Sequence, residues 1–442
     1  MSRISIVLLA ACALCLAATK QRSASSGNFN VLSLSVNGLV AILDPSGISD
    51  KDKTRNTMYM GMALSLHNYT IVNVQQDFDY HKALYQYDKH RFRTITSGDA
   101  PSGSGLNTLS NYPWVDFSRI EWFVCSEACL TSQGFTFMRM RIDEGVYIDV
   151  INLEANPGTK SADRMARHSN IQQARGLSNF ITFNSYGNAV IVFGNTNSHY
   201  TRSDDNIQFL ITENGLTDAW VQATGGKAPT PDAGADVCSD GIPVDISCES
   251  VEKVLYRGSP AISITSSGLY YDTSRFLSPE GNTLANRNPI RVEFQWGLNS
   301  ALRQSDLYGG PHGTWFNDLP LLPLSPKLSS ITLRGGNRLD GITLTLTSGQ
   351  RFTHGGTGGT ATSLQLFSGE YITSVKLCWG KRNGHTRNFY AQATTNQENV
   401  IQAGQMTDDC ATAIAPSNYG VVGTYGQDGK EIDQLGFLYA PQ

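Results

Sequence analysis

Short runs of alternating or continuous apolar residues recur through the first two thirds of the chain. Such runs are typical of β-strands. The predicted strands are "NFNVLSLSV", "YTIVNVQ", "FTFMRMRI", "VYIDVINLE", "NAVIVFGN" and "IRVEFQW". Between them lie two segments compatible with helices, "DYHKALYQYDKH" and "SADRMARHSNIQQARGLSNFITFNS". Strands that alternate with helices predict a layered α/β domain.

The pattern changes after about Asn299. Helical spacing disappears, and strands rich in glycine and threonine, such as "DGITLTLTSG" and "YITSVKLCWG", follow one another to the last residue. We therefore predict an all-β domain over residues 305–442, preceded by an α/β domain over residues 27–298. The stretch "TGGKAPTPDAGADVC" is predicted to be a loop inside the first domain, because strand patterns resume after it.

The second domain repeats within itself. The segments "GGNRLDGITLTL", "SGEYITSVKLCW" and "DGKEIDQLGFLY" form one set, and "YGGPHGT", "HGGTGGT" and "YGVVGT" form another. Threefold repetition predicts three small sheets in a prism, with the glycine loops at one end. Glycine pairs expose backbone N–H groups and an aspartate accepts hydrogen bonds from hydroxyls, so these loops suit a polyhydroxylated ligand.

These repeats resemble the jacalin-related lectins, from about Ser305 to Gln442. The resemblance implies that sugar binds between a glycine loop and a Gly-x-x-x-Asp loop, and the acidic loops resemble the mannose/glucose type. Because the third copy has Thr373 in place of aspartate and a broken glycine loop, we expect it to bind no sugar. The implied first site is Gly309, Gly310, Gly429, Lys430, Ile432 and Asp433, and the implied second site is Gly336, Asn337, Leu339, Asp340, Gly355 and Gly356.

The first domain contains the motifs "NVQQDFDYH", "DVINLEANPG", "VIVFGNTNSHYTR" and "LANRNPI". They resemble the endonuclease/exonuclease/phosphatase superfamily, nearest its sphingomyelinase-like and deoxyribonuclease-like branch. The resemblance implies a four-layer α/β sandwich that cleaves phosphate esters with a divalent metal.

The residues at the family's catalytic positions depart from its pattern. The metal-binding glutamate falls on Gln76, one histidine on Glu154, and the other on Arg287. The early asparagine falls on Ser35, the Gly-Asp-x-Asn segment on Asn195 and Asn197, and the Ser-Asp of the last motif on Ala285 and Asn286. Amides lack the charge that Mg²⁺ prefers, and no imidazole remains to titrate near neutrality. We therefore expect an inactive hydrolase fold without a metal or another cofactor.

Two alternatives to this interpretation stay open. Another carboxylate, such as Asp77, Asp79 or Asp204, would complete the site if the alignment is displaced, and the protein would then be a secreted phosphodiesterase of nuclease or sphingomyelinase class that uses Mg²⁺ or Ca²⁺. A purely structural or interaction protein would bind no sugar. We further hypothesise that Glu154 and Arg287 form an ion pair across the old cleft.

The first residues bear on localisation. Arg3 precedes an apolar stretch from Ile4 to Leu16 and then small residues. This pattern predicts a secretory signal peptide over residues 1–18, whereas a membrane anchor would need a longer apolar run. We expect a secreted, extracellular protein without a membrane span.

Cysteine content and charge agree with this expectation. An even number of cysteines beyond the signal peptide predicts disulfides, and a zinc site is disfavoured because no pairs stand at zinc-finger spacing. Sequence proximity favours the pairs Cys125–Cys129, Cys238–Cys248 and Cys378–Cys410. The formal net charge of −4 gives no argument for a nucleic-acid partner, and the resemblance to the lectins implies glycans, of the mannose/glucose type, as the partners. The sequence leaves the oligomeric state open.

Overall fold

The protein is described from a computed structural model, which covers residues 24–44, 46–124, 131–173, 176–231, 233–234, 236–239 and 241–442. The predicted signal peptide and the predicted pair Cys125–Cys129 lie outside the described residues. The disulfides Cys238–Cys248 and Cys378–Cys410 are present, as predicted. Among the described residues, no helix has both the length and the apolar character needed to cross a bilayer.

The N-terminal region is built from short strands and helices. Its strands are β1 (Ser26–Ser35), β2 (Ile71–Gln75), β3 (Phe92–Arg93), β4 (Asn107–Ser110), β5 (Trp114–Glu121), β6 (Gly134–Asp143), β7 (Val146–Glu154), β8 (Ala189–Asn195), β9 (Thr217–Asp218), β10 (Glu252–Arg257), β11 (Ile262–Tyr271) and β12 (Ile290–Leu298). Its α-helices are α1 (Asp50–Leu66), α2 (His81–Tyr87), α3 (Ser161–Gln172), α4 (Leu177–Asn184), α5 (Ile207–Asn214) and α6 (Ala219–Ala223), with a 3₁₀ turn at Thr273–Arg275.

These elements form four layers. One sheet has the strand order β11-β12-β1-β2-β4-β3, and the other has the order β5-β6-β7-β8-β10-β9. Met60 and Leu64 of α1 pack with Leu84 of α2 against the outer face of the first sheet. Ile171 of α3 and Ile181 of α4 join the larger core of the second sheet. The predicted four-layer α/β sandwich is confirmed.

The six strands predicted from apolar runs are all present, as β1, β2, β6, β7, β8 and β12. The long segment predicted as helix-compatible forms two helices, α3 and α4, rather than one. Helix α1 was not predicted. Its start is marked by Ser49, whose hydroxyl accepts a hydrogen bond from the Asp52 amide at 3.2 Å, a typical N-cap.

The C-terminal region is all β apart from a 3₁₀ turn at Leu319–Leu321. Its strands are β13 (Arg303–Gln304), β14 (Tyr308–Gly309), β15 (Thr314–Asn317), β16 (Leu328–Gly335), β17 (Leu339–Leu346), β18 (Arg351–Gly355), β19 (Thr360–Gln365), β20 (Ile372–Arg382), β21 (His385–Thr395), β22 (Val400–Gly404), β23 (Asp409–Ile414), β24 (Tyr419–Asp428) and β25 (Ile432–Pro441). They form three sheets, ordered β13-β25-β24-β15, β18-β17-β16-β19 and β22-β21-β20-β23, with β14 also paired to β25. The predicted prism of three sheets is confirmed.

The two regions are packed together. Arg139 of β6 lies with its guanidinium carbon 3.4 Å from the ring centroid of Trp315 in β15. Arg141 forms two hydrogen bonds to Asp306, at 2.9 and 2.8 Å. One cluster of buried apolar side chains runs through both regions, so the prism and the sandwich share a continuous core.

Candidate functional sites

The degenerate catalytic positions of the N-terminal region meet at one edge of the second sheet. Glu154 is the last residue of β7 and lies beside Asn195, the last residue of β8, because these two strands are parallel. Strand β10 runs antiparallel to β8, so its first residue, Glu252, is the partner of Asn195 on the other side. Three polar side chains therefore stand in a row on adjacent strands.

Amide groups surround Glu154. The Nε2 of Gln76 and the Nδ2 of Asn195 both approach Glu154 Oε1, at 3.5 and 3.3 Å. Asn286 Nδ2 donates to Gln76 Oε1 at 2.8 Å. The backbone N–H of Asn197 donates to Asn195 Oδ1 at 3.0 Å. The structure thus joins five of the positions that the sequence analysis singled out in one hydrogen-bonded network, namely Gln76, Glu154, Asn195, Asn197 and Asn286.

The proposed ion pair between Glu154 and Arg287 is wrong. No nitrogen of Arg287 lies within 4.0 Å of a Glu154 oxygen; instead, Arg287 Nε lies 3.9 Å from Glu252 Oε1. Strand β10 brings Glu252 to this edge of the sheet, beside Asn195, and Glu252 is the carboxylate that Arg287 approaches. Glu252 was missed by the sequence analysis, because nothing in "SVEKVLYR" indicates that this strand lies antiparallel beside β8.

Burial changes the protonation of this pair of glutamates. Both side chains are buried, with relative exposures of 4% for Glu154 and 3% for Glu252. Desolvation, followed by repulsion from Glu252, raises the pKa of Glu154 to about 8. Desolvation also raises the pKa of Glu252. Glu154 therefore keeps its proton at neutral pH, unlike an ordinary carboxylate.

The cleft does not fit a divalent cation. Mg²⁺ and Ca²⁺ need several anionic or carbonyl oxygens, whereas here two amide N–H groups converge on one oxygen of Glu154. Within the part of the chain that the structure describes, no group of three or more His, Cys, Asp or Glu side chains is placed to hold a metal. We derive no catalytic step through a metal ion.

The carboxylates weighed as replacements are engaged elsewhere or stand apart. Asp77 accepts hydrogen bonds from Asn107 Nδ2 at 2.8 Å and lies 2.7 Å from His81 Nδ1. Asp204 forms a surface ion pair with Arg164 at 3.1 Å. Asp79 makes no side-chain hydrogen bond to the amide network around Glu154. A small cavity of about 290 Å³, lined by Glu252, Asn286 and Arg287 among others, is what remains of the cleft.

In the prism, two loop pairs have the same backbone geometry. In the first site, the Gly310 amide donates to the Asp433 carbonyl at 3.0 Å; in the second, the Gly356 amide donates to the Asp340 carbonyl at 2.7 Å. A second pair of bonds also matches: the Gly429 amide donates to the Glu431 carbonyl at 3.0 Å, and the Gly336 amide to the Arg338 carbonyl at 3.2 Å. In each of the two predicted sites, the glycine loop therefore contacts the aspartate loop.

Close backbone contact explains why glycine is needed in these loops. Gly309 and Gly355 have φ values of +104° and +86°, in the left-handed region. A Cβ on Gly309 would lie 2.2 Å from the Asp433 carbonyl oxygen, and one on Gly355 would lie 2.3 Å from the Asp340 carbonyl oxygen. Any side chain at these positions would push the glycine loop away from the aspartate loop.

The predicted contact residues fall into two groups. Leu339 and Ile432 are fully buried, so their side chains anchor the loops and only their backbone is available to a ligand. Lys430 and Asn337 are exposed at the loop tips. The two sites also touch each other: Gly355 N donates to Asp428 Oδ2 at 2.5 Å, which ties the glycine loop of the second site to the aspartate loop of the first.

The third copy of the repeat is formed by residues other than those predicted. Thr373 is not at the aspartate position, and "YGVVGT" lies within strand β24 rather than in a loop. The third glycine loop begins at Gly404, where the Gln405 amide donates to the Phe389 carbonyl at 3.0 Å. Phe389 therefore occupies the aspartate position, and it offers no carboxylate to a sugar. That this copy binds no sugar stays a prediction.

Comparison with known proteins agrees with this division into two regions. Residues 305–438 match the family described as the Jacalin-like lectin domain. Among solved structures, the chain is similar to a mannose-binding jacalin-related lectin from Ananas comosus, with 21% identity over 32% of this chain and 99% of that chain and a TM-score of 0.29. It is also similar to Malaysian banana lectin, with 24% identity over 31% of this chain and 98% of that one and a TM-score of 0.28.

Other proteins are similar to this chain in amino-acid sequence. Sphingomyelinases of Mycobacterium bovis and Mycobacterium tuberculosis are 31% identical over 279 residues, which is 61% of this chain and 53% of theirs. The chain thus spans about half the length of these relatives. Secreted RxLR effector protein 19 of Plasmopara viticola is 27% identical over 150 residues, 32% of this chain and 83% of that protein. The C-terminal region is a jacalin-like lectin domain, and the N-terminal region resembles mycobacterial sphingomyelinase, an enzyme of the endonuclease/exonuclease/phosphatase type.

Proposed function

We propose that this protein is a secreted lectin that binds mannose- or glucose-type glycans through the two sites of its prism. The observation that carries this proposal is the duplicated geometry of Gly310 with Asp433 and of Gly356 with Asp340. In both sites a carboxylate lies beside a glycine loop, and a carboxylate accepts hydrogen bonds from the hydroxyls of a sugar. Jacalin-related lectins that this chain resembles are described as mannose-binding, which supports the choice of sugar.

For the N-terminal region we propose a hydrolase fold that has lost its activity and binds no catalytic metal. The amide network around Glu154 supports this proposal, since amide N–H groups stand where a cation would need oxygens. We take this domain as residues 27–298 and the lectin domain as residues 305–442. The two disulfides and the relative named as a secreted effector support an extracellular location.

The decisive experiment is a glycan array with the wild-type protein and the variant Asp340→Ala/Asp433→Ala. We expect the wild type to be retained on mannose or glucose ligands and the double variant to lose retention, because both carboxylate acceptors are gone. Residual binding by the double variant, or no binding by the wild type, would contradict the lectin assignment. No retention at all is the outcome expected of a structural or interaction protein.

A second candidate function is a secreted, metal-dependent phosphodiesterase of nuclease or sphingomyelinase class. The 31% identity to the mycobacterial sphingomyelinases is the observation in its favour. Turnover of sphingomyelin and of a diester substrate is measured with and without Mg²⁺ or Ca²⁺. Metal-dependent turnover that is lost in Asn197→Ala would establish this function and overturn the proposed inactivity.

A further inference from the structure

The two sugar sites differ at their carboxylates, although their backbones match. Asp433 of the first site accepts a hydrogen bond from Arg387 Nη1, which lies 2.8 Å from Oδ1. Asp340 of the second site has no hydrogen-bond or ion-pair partner for its carboxylate among the described residues. The aspartate of the first site therefore has a cationic partner, and the aspartate of the second site has none among the described residues.

Arg387 reaches the first site from another sheet. It lies on β21, and the same Nη1 atom also lies 2.7 Å from Glu431 Oε1. The aspartate loop that it contacts carries three acidic residues close together, Asp428, Glu431 and Asp433. Arg338 and Arg382 also pair with Glu431, but Arg387 is the arginine that pairs with both Glu431 and Asp433, and it offsets the repulsion between these two carboxylates.

The other oxygen of Asp433, Oδ2, lies near both the glycine loop and the aspartate loop of the first site. A Cβ on Gly313 would lie 2.8 Å from Asp433 Oδ2, and one on Gly429 would lie 3.9 Å from it. Oδ2 thus points into the space between the glycine loop and the aspartate loop, where a sugar would be held. Oδ1 points the other way and is occupied by Arg387.

We propose that Arg387 is a positioning residue for sugar at the first site, where it keeps Asp433 ionised and leaves Oδ2 as its single free acceptor. This inference rests on the proposed lectin function. Asp340 offers both oxygens, so the second site takes a hexose through two neighbouring hydroxyls, whereas the first site takes it through one. The two sites are therefore unequal in affinity and in their response to pH.

The protonation of Asp433 supports this inference. Its pKa is raised to about 6, mainly by desolvation. Arg387 and His385 lower it, whereas Glu431 and Asp428 raise it. His312 stands beside His385, with ring centroids 4.3 Å apart, and desolvation followed by the charge of His385 lowers the His312 pKa. Because sugar binds the ionised carboxylate, binding at the first site is present above pH 6 and is lost as the pH falls.

The test isolates each site in the full-length protein. The variant Asp340→Ala retains the first site, and methyl α-mannoside is titrated into it between pH 5 and pH 8. We expect affinity about tenfold lower at pH 5 than at pH 7, as follows from a carboxylate that titrates near pH 6. Adding Arg387→Ala is expected to weaken binding at pH 7 by about tenfold and to move the midpoint to higher pH, since Glu431 and Asp428 are then opposed by His385 alone. Arg387→Lys, which keeps the charge, is expected to restore part of both effects.

A protein that keeps only the second site supplies the control. The variant Asp433→Ala retains the second site, where Arg387→Ala is expected to change affinity by less than about twofold, because the site lacks Arg387 as a partner. Arg351→Ala, an exposed arginine of β18 outside both sites, controls for loss of surface charge. Thermal unfolding of every variant separates loss of folding from loss of binding.

Arg387→Ala is expected to weaken sugar binding at the first site and not to strengthen it. If Arg387 only competes with sugar for Asp433, Arg387→Ala will strengthen binding at the first site, and the inference is overturned. An unchanged pH profile in Arg387→Ala overturns it as well. If neither single-site variant binds the mannoside at any pH, the proposed lectin function fails, and this inference fails with it.

Discussion

At the scale of single residues, the N-terminal cleft is a network of amide side chains around a buried glutamate. Asn195 and Gln76 offer N–H groups to Glu154, where the resemblance implies carboxylates that bind a metal. Glu154, at a position that the resemblance assigns to histidine, is protonated at neutral pH and is neutral like its amide neighbours. The network is thus neutral and hydrogen-bonded, whereas the resemblance implies a charged site at these positions.

The first prediction concerns Glu154→Gln. The unfolded glutamate loses its proton near pH 4.5, whereas the folded one keeps it to about pH 8. Between these values the native state binds one more proton than the unfolded state, so the free energy of unfolding falls by about 1.4 kcal/mol per pH unit because of this residue. We expect Glu154→Gln to remove this part of the decline, as measured by urea unfolding between pH 5 and pH 7.5.

The matched control for this prediction is Glu213→Gln, on the exposed surface of α5. It should leave the slope unchanged, because this side chain is exposed to water in the folded protein. Equal slopes for wild type and Glu154→Gln would mean that Glu154 is ionised in the folded protein.

The residues of the cleft were predictable from the sequence only in part. The motifs located Gln76, Glu154, Asn195 and Asn286, since each follows or ends a buried strand or lies in a conspicuous loop motif. Glu252 was not found, because its place depends on an antiparallel pairing between β10 and β8 that no local pattern specifies. The direction of Arg287 depended on the same pairing, which is why its partner was predicted wrongly.

At the scale of elements, the hairpin of β17 and β18 shows how glycine is used in two different ways. Gly349, in the turn at one end, has φ of +87°, and a Cβ there would meet nothing within 4 Å. Gly355, at the other end, has nearly the same φ, +86°, but a Cβ there would lie 2.3 Å from the Asp340 carbonyl oxygen. Gly349 is needed only for the backbone conformation of the turn, whereas Gly355 also allows the glycine loop to contact the Asp340 loop closely.

This difference gives the second prediction. Gly349→Ala should cost about 1 kcal/mol, the strain of an alanine in the left-handed region. Gly355→Ala carries the same strain and also displaces the Asp340 loop, so it should cost more stability and should weaken mannoside binding in the Asp433→Ala background. Urea unfolding and calorimetric titration measure the two effects. Equal stability and equal binding for the two alanine variants would rule out the close approach.

The same elements show where the repeat could and could not be predicted. The glycine and aspartate motifs located the first two loop pairs, because both keep the full motif. In the third sheet the motif has decayed to Gly404, Gln405 and Phe389, and the sequence alone suggested "YGVVGT" instead. That segment is the start of β24, whose pairing with β25 decides its place. Where a repeat has lost its motif, strand pairing therefore decides which residues take the loop positions, and local composition does not.

At the scale of the whole molecule, the sandwich and the prism are joined by polar contacts around a shared core. Asp306 accepts hydrogen bonds from Arg141 Nε and Nη2, from the Gly145 amide at 2.9 Å and from the Tyr147 hydroxyl at 3.2 Å. All three partners belong to the N-terminal region. Trp315 Nε1 donates to the Tyr186 carbonyl at 3.0 Å, which adds a contact from a second strand of the prism. The two regions should therefore unfold together.

The third prediction tests this coupling with Asp306→Ala. The change leaves Arg141 and the Tyr147 hydroxyl without their shared acceptor at the junction, so we expect a loss of about 1–3 kcal/mol in the free energy of unfolding. Because the loss falls on the junction, the single calorimetric transition expected of the wild type should broaden or split in two, while mannoside affinity is kept. Asp204→Ala breaks a surface pair with Arg164 instead and should cost at most about 1 kcal/mol, with one transition. If both variants unfold like the wild type, the sandwich and the prism do not stabilise each other through Asp306, and the shared core and the other contacts at the junction must couple them.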